Sequence, residues 1–114
     1  MTSGIRLLLT TFADEAAAAT VVRSLLDEHL IACGTLIPGA RSMYRWKGAV
    51  EESSEVQVIL KTSGEEASRC MVRLAELHPY ELPEIIEVEP ASVSTPYADW
   101  IRASLEEAPG ENGV

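Results

Sequence analysis

The stretch with the clearest capacity for chemistry is a short proline-rich loop that reads His78-Pro79-Tyr80-Glu81-Leu82-Pro83-Glu84. Two prolines within five residues stiffen this backbone, so the loop can hold its side chains in a defined arrangement. The imidazole of His78 with the carboxylates of Glu81 and Glu84 suits a transition metal such as copper, zinc or nickel. The alternative is a rigid connection with solvated carboxylates. Spacing alone favours this alternative, because no fourth ligand is evident.

A second candidate ligand is Cys33, which follows two apolar residues in a strand-like segment. A thiol in a strand is usually a small buried hydrophobe, whereas a thiol that faces a cleft near an imidazole is a soft ligand for copper. The other cysteine, Cys70, lies on the apolar stripe of a predicted helix and is interpreted as buried. Two cysteines are too few for a disulfide framework and suit a reducing, cytoplasmic compartment.

Aromatic side chains near a lysine form a third candidate group, suited to recognition. They are Tyr44, Trp46 and Tyr80, with Lys61. Aromatic residues on a hairpin more often serve packing or an interface than cofactor contacts. We therefore predict that Tyr44 and Trp46 lie in an interface between copies of the chain.

Other classes of function find little support in the sequence. The patterns G-x-G-x-x-G, P-loop, G-x-S-x-G, H-E-x-x-H and C-x-x-C are all absent, so we expect no organic cofactor and no enzyme. General acid–base catalysis by His78 with Glu81 or Glu84 is the enzymatic alternative.

The net charge of −9 opposes binding to nucleic acid. The first residues lack the features of a signal peptide, and the run at 7–9 is too short to cross a bilayer, so we expect no membrane partner.

The elements that must position these groups follow from periodicity. Residues 5–11 form a β-compatible run, and Asp14 then suits the N-cap of a helix whose apolar stripe continues to about His29. We interpret His29 as a packed helix-end residue near the negative end of the helix dipole. A strand follows at 31–37, and Pro38-Gly39 predicts either a turn or a kink after it.

A long hairpin is the next predicted feature. Residues 42–46 and 56–62 have extended character, and Gly48 provides the positive φ of the turn between them. Such a hairpin is longer than a core of this size can cover. Part of it should protrude or pair with another chain.

The remaining pattern predicts a helix at 67–77 that Pro79 ends, a short strand at 84–88, and a helix from Thr95-Pro96 to about residue 105. The order is β-α-β-β-α-β plus a terminal helix, which is the ferredoxin-like α+β arrangement with an antiparallel sheet. We predict one domain over residues 1–114, with a core at about 5–105 and a disordered tail at 108–114.

Three ordered blocks of the sequence resemble the CutA (divalent-cation tolerance) family over roughly residues 5–105. The quoted positions are Ala32-Cys33, Ile37-Pro38-Gly39, Ser42, Tyr44, Trp46, Gly48, Glu55 and Lys61-Thr62, then His78-Pro79-Tyr80-Glu81 with Pro83-Glu84-Ile85, then Tyr97 to Trp100. The resemblance implies a ferredoxin-like fold and a tight homotrimer, similar in plan to the P-II nitrogen-signalling proteins. It also implies that the hairpin pairs with neighbouring subunits, with Tyr44, Trp46 and Trp100 in the interface.

The resemblance further implies a binding site in the clefts between subunits. Cys33, His78 and Glu81 are its expected metal ligands for Cu(II) or another divalent cation. The expected neighbours in the cleft are Glu55, Lys61, Tyr80 and Glu84. Some family members have a cysteine and a second histidine where this chain has Thr10 and Leu77, so a copper site that depends on them is weakened here. A P-II-like sensor that binds a small metabolite or anion in the same cleft is the alternative function.

Overall fold

The computed structural model describes residues 4–106. Its elements are β1 (Ile5–Phe12), α1 (Glu15–Asp27), β2 (Cys33–Trp46), β3 (Ala49–Ser63), α2 (Ala67–Leu77), β4 (Ile86–Val88) and α3 (Thr95–Glu106). This order confirms the predicted β-α-β-β-α-β arrangement with a further helix. The tail predicted at 108–114 lies outside the described residues. None of the helices within residues 4–106 combines the length and apolarity needed to span a lipid bilayer.

The four strands form one antiparallel sheet in the order β2-β3-β1-β4. Leu8 and Phe12 of β1 join the main core, where α1 and α2 cover one face of the sheet. Because side chains alternate along a strand, Ile5 points to the other face and packs with Ala98 and Ile101 of α3. The sheet is therefore covered by two helices on one side and by α3 at one end of the other.

Helix α1 has well-defined signals at both ends. The Asp14 side chain accepts a hydrogen bond from the backbone N–H of Ala17 at 2.8 Å, as expected of the predicted N-cap. At the other end, the N–H groups of His29 and Leu30 donate to the carbonyls of Leu26 and Leu25, each at 3.0 Å. This is a Schellman ending, in which the residue after the cap adopts a left-handed backbone. His29 fills that position with φ of 59°, so it lies beyond the helix and does not continue its stripe.

Replacing His29 with glycine is expected to stabilise the protein by about 0.5–1 kcal/mol, because glycine adopts positive φ without the steric cost of a Cβ. Urea denaturation of the two proteins measures the difference. A His29→Ala variant provides the control and should be less stable than His29→Gly, since alanine retains the Cβ. Equal stability of the glycine and alanine variants would contradict a backbone origin for the effect.

The hairpin is longer than the sequence pattern predicts. Strand β2 runs without a break from Cys33 to Trp46, and Pro38-Gly39 forms a bulge within it, because the pairing shifts between Ile37 and Ala40. The turn consists of Lys47 and Gly48, with φ of 49° and 83°, which matches the two-residue turns that suit the twist of a hairpin. Since β2 also forms one edge of the sheet, its outer backbone groups have no strand partner within residues 4–106.

Strand β4 at the opposite edge is shorter than predicted. Only Ile86–Val88 join the sheet, against Leu7–Leu9 of β1, whereas the sequence pattern predicts a strand at 84–88. Pro83 has no N–H to donate and restricts the backbone around it. The chain can therefore pair with β1 only after it has left the proline-rich loop. Glu84 and Ile85 therefore belong to the loop.

Candidate functional site

A groove of about 970 Å³ lies between the hairpin and the loop that follows α2. Three parts of the chain contribute to its lining: the end of β1 with Thr11, the hairpin with Ser42 and Glu55, and the loop with Tyr80. Most of these side chains are polar and several have hydrogen-bonding capacity. The groove is the candidate site, because it collects polar groups from segments that are far apart in sequence.

His78 anchors the loop beneath this groove. It follows the last residue of α2 and is only 7% exposed. Its Nε2 lies 2.8 Å from the carbonyl oxygen of Thr11, and its Nδ1 accepts the backbone N–H of Tyr80 at 3.1 Å. The ring also stacks on Phe12, with centroids 4.2 Å apart. These contacts assign the ring hydrogen to Nε2 and engage both nitrogens within the chain.

The surroundings of His78 favour its neutral form. Burial lowers the pKa of His78 below its ordinary value of 6.5, and the hydrogen bond to Thr11 and the charge of Glu55 only partly oppose this. A neutral ring with both nitrogens engaged holds the loop in place. It has no free lone pair for a metal ion unless one of these hydrogen bonds breaks.

Glu55 and Tyr80 form the central pair of the groove. The Tyr80 hydroxyl donates to Oε2 of Glu55 at 2.7 Å. Burial and the adjacent Glu55 raise the pKa of Tyr80, so the hydroxyl keeps its proton for this bond. Partial burial opposes ionisation of Glu55, but hydrogen bonds from Ser42, Tyr80 and Thr11 outweigh it and hold the pKa of that carboxyl below 4.5. The groove therefore presents a fixed carboxylate.

Further acidic residues line the same groove. Glu81 is exposed and Glu84 is half-buried, and both contribute to the lining together with Glu51. Arg41 and Arg45 also line the groove, and the guanidinium of Arg41 pairs with the carboxylate of Glu52. The groove thus carries more negative than positive charge, which attracts cations.

Cys33 and Lys61 lie together at a different place on the sheet. The two residues are opposite each other on β2 and β3, and Nζ of Lys61 lies 3.6 Å from Sγ of Cys33 and 2.7 Å from Oγ1 of Thr35. Thr11, which contacts His78, pairs instead with Gln57. Gln57 and Lys61 are four positions apart on β3, a distance of about 13 Å along the strand.

One copy of the chain therefore does not assemble the predicted ligand set. Cys33 is remote from His78, and Glu81 is on the exposed loop. Within residues 4–106, no three His, Cys, Asp or Glu side chains lie close enough together to hold a metal ion. A site that uses Cys33, His78 and Glu81 must draw them from more than one copy, and the set stays a prediction.

The predicted interface residues are exposed in the single chain. Tyr44 and Trp46 are 44% and 40% exposed on the hairpin, where both line the groove. Trp100 is 48% exposed on α3 and stacks with Tyr97, with ring centroids 5.6 Å apart. Large aromatic surfaces of this kind are available to another copy or to a ligand.

Comparison with known proteins gives the family. The model of the CutA1 divalent ion tolerance protein family matches residues 6–104. The chain belongs to this family. The resemblance predicted from the three sequence blocks is thereby confirmed. The divalent-cation tolerance proteins CutA of Pectobacterium atrosepticum and Escherichia coli O139:H28 are 39% and 42% identical over 98 residues, which is 86% of this chain and 89% and 88% of theirs.

Solved structures of the same family share the fold. CutA from Xylella fastidiosa superposes with a TM-score of 0.87 at 37% identity, covering 90% of this chain and 99% of that one. The divalent cation tolerance protein of Thermus thermophilus gives 0.83 at 35% identity, covering 88% and 97%. CutA from Synechococcus elongatus gives 0.88 at 37% identity, covering 92% and 93%. The ferredoxin-like α+β class is therefore the fold of this chain.

Sequence reasoning missed several residues of the site. Thr11, Phe12 and Ser42 all contact the central groups, yet none belongs to a recognisable motif. Their only signal was position: Thr11 and Phe12 end β1, and Ser42 follows the bulge in β2. Such residues become visible only when the strand register is known.

Proposed function

We propose that this chain forms a homotrimer that binds divalent cations in clefts between its subunits, and that it thereby contributes to tolerance of copper or another divalent cation. The observation that carries the proposal is a groove lined by the carboxylates of Glu55, Glu81 and Glu84, beside a sheet edge that has no strand partner within residues 4–106. Relatives about 40% identical have names that refer to divalent-cation tolerance.

The hairpin supports the assembly part of the proposal. Its apolar residues Ile37, Met43 and Val50 are 45%, 66% and 69% exposed in the single chain. Strand β2 is also a long open edge, which natural proteins usually cover because it can pair with other strands. Contacts between different surfaces of successive copies close into a ring when the rotation allows it, and three copies form such a ring.

The available donors define which residues would hold the cation. Glu81 and Glu84 lie on a stiff loop, and their carboxylates can bind a divalent ion directly. Cys33 of an adjacent subunit would add a soft ligand, which copper prefers. His78 serves best as a positioning residue, because both of its ring nitrogens already hold the loop against β1 and Tyr80.

Two measurements test this proposal. Light scattering at micromolar concentration should give the mass of a trimer, and a stable monomer would contradict both the assembly and the cleft.

Calorimetric titration with Cu(II), Zn(II) and Ni(II) should give saturable binding that weakens about tenfold or more in Glu81→Gln. Glu65→Gln removes the same charge outside the groove and should bind as the unchanged protein does. A Cys33→Ser variant measures the thiol's share of copper binding.

A small anion in the same cleft between subunits is the second candidate function, with Lys61 supplied, like Cys33, by an adjacent subunit. It is favoured by the ammonium group of Lys61, which contacts Thr35 and Cys33 and has no ion pair with a carboxylate within residues 4–106. Thermal-shift measurements with nucleotides and carboxylates discriminate the two functions, because a ligand that binds only the folded state raises the melting temperature. Stabilisation that Lys61→Met abolishes would favour the anion.

A further inference from the structure

Tyr80 is held at two points of the loop that follows α2. Its backbone N–H donates to Nδ1 of His78 at 3.1 Å, and its hydroxyl donates to Oε2 of Glu55 at 2.7 Å. The first contact is local, whereas the second joins residues that are 25 positions apart and connects the loop to strand β3. The Tyr80 ring also lies against the His78 ring, with centroids 4.8 Å apart. Tyr80 therefore ties the loop to the hairpin as well as to His78.

The loop residues that follow Tyr80 have few contacts that fix them. Glu81 is exposed and Glu84 is half-buried. Within residues 4–106, neither of these two carboxylates forms an ion pair. The next residue that packs against the main core is Ile85. The positions of Glu81 and Glu84 therefore depend on the anchors at Tyr80 and Ile85 and on the stiff proline backbone between them.

Glu55 is engaged by Tyr80 and not by a basic side chain. Arg41 and Arg45 line the same groove, yet within residues 4–106 neither forms an ion pair with Glu55. A metal ion that bound Oε2 of Glu55 would have to displace the Tyr80 hydroxyl. Both ends of this hydrogen bond belong to one chain, so it does not require an open groove. A second copy that covered it would exclude water and strengthen it.

We propose that Tyr80 is a positioning residue for the cation site: its hydrogen bond to Glu55 holds the loop so that Glu81 and Glu84 are in place before a divalent ion binds. Glu55 then acts through Tyr80 and is not itself a ligand. A site that is ordered before binding avoids the cost of fixing its side chains, which raises its affinity. The positioning role rests on the proposed cation site, whereas the hydrogen bond that fixes the loop does not.

Hydrogen–deuterium exchange tests the effect of the bond on the loop without any metal. The full chain is measured in the assembly that it forms in solution, with a chelator present, and the reporter is the segment at 80–85. Tyr80→Phe keeps the ring that contacts His78 but removes the hydroxyl, and it should speed exchange of the loop amides about tenfold. Tyr97→Phe removes a hydroxyl from α3, outside the groove, and should leave the exchange unchanged. Unchanged exchange in Tyr80→Phe would overturn the proposal.

Two neutral replacements of Glu55 separate its acceptor oxygen from its charge. Glutamine retains an oxygen that can accept from Tyr80, whereas methionine has a similar length and only a weakly accepting sulfur. In calorimetric titrations with Cu(II), Zn(II) and Ni(II), Tyr80→Phe should weaken binding about fivefold. Glu55→Gln should bind more tightly than Glu55→Met, because only glutamine preserves the bond. Adding Tyr80→Phe to Glu55→Met should cause no further loss, since both changes remove the same interaction.

The possible results distinguish this inference from the proposed function. Equal affinities of Glu55→Gln and Glu55→Met, both about tenfold or more below that of the unchanged protein, would identify Glu55 as a ligand and overturn the proposal. Unchanged metal affinity in Tyr80→Phe would also overturn it. If the unchanged protein bound none of the three metals, the proposed function would fail and the positioning role with it. The exchange measurement would still decide whether Tyr80 fixes the loop.

Discussion

Replacing His78 with alanine is expected to lower the free energy of unfolding by about 3 kcal/mol at pH 7. The ring satisfies the carbonyl of Thr11 and the N–H of Tyr80 and packs face to face on Phe12. Alanine would leave both backbone groups without their partner and open a cavity beside the aromatic ring. Urea denaturation measures the loss, with circular dichroism to show that the variant folds.

The pH dependence of stability provides a sharper signature of the same side chain. Burial lowers the pKa of His78 in the folded protein below its ordinary value of 6.5, so the unfolded chain binds more protons than the folded one in mild acid. The stabilisation that neutral, buried His78 contributes is therefore complete above pH 6.5. It is lost as the pH falls through the lower pKa of His78 in the folded protein. His78→Ala should lose this part of the slope. The carboxyl of Glu55, whose pKa is also lowered, should still destabilise both proteins below pH 4.5.

The other histidine supplies the control. His29→Asn removes an imidazole but keeps a residue that tolerates the left-handed backbone, so it is the matched variant for the same denaturation measurements. If His78→Ala were as stable as the unchanged protein, or kept the same slope, the structural role of His78 would be refuted. The expected instability also matters for function, because weak metal binding by His78→Ala could reflect a displaced loop. Glu81→Gln tests a ligand without disturbing these hydrogen bonds.

The parts of the fold that sequence predicts well depend on neighbouring residues. Asp14 caps α1 because its carboxylate reaches an N–H three residues on, and Gly48 closes the hairpin because the turn needs positive φ. Helix α2 ends at Leu77, as Pro79 requires. In each case the interaction spans a few positions, so residue type and spacing contain the necessary information.

The parts that sequence predicts poorly depend on packing between distant segments. Pro38-Gly39 is compatible with a turn, but pairing with β3 on both sides keeps the strand continuous and turns the extra residue into a bulge. His29 has the spacing of the apolar stripe of α1, yet the Schellman bonds end the helix two residues earlier. Pairing within the sheet decides for a bulge at Pro38-Gly39. Burial of Leu30, which follows His29, favours the earlier end of α1.

The candidate site shows the same division. The residue types of the loop with His78, Tyr80 and Glu81 could be recognised from the sequence, and Tyr80 does contact Glu55. The strand register could not be predicted, and it separates Cys33 from His78 while bringing Thr11 beside the imidazole. Sequence thus identified candidate side chains, but only the tertiary pairing decides which of them share a site within one copy.

Replacing Gly34 with alanine is expected to destabilise the protein by about 2 kcal/mol, although alanine is usually neutral or favourable in a strand that accepts it. A Cβ at this position would lie 2.6 Å from Cγ1 of Val22 and 3.3 Å from Cδ2 of Leu60. Both neighbours are buried, and Val22 has a stiff branched side chain on α1. Helix α1 can therefore lie this close to β2 only because residue 34 has no side chain. Urea denaturation measures the loss.

A double-mutant cycle distinguishes this clash from a backbone effect. Val22→Ala alone should be destabilising because it leaves a cavity, but in the Gly34→Ala protein it makes room for the new methyl group. The two changes together should cost less than their sum by about 1 kcal/mol or more. Gly64→Ala is the matched control, because its Cβ would meet only Arg6 at an ordinary 3.5 Å. Additive effects of the pair, or equal losses at residues 34 and 64, would show that close packing of α1 on β2 is not why glycine is required next to Cys33.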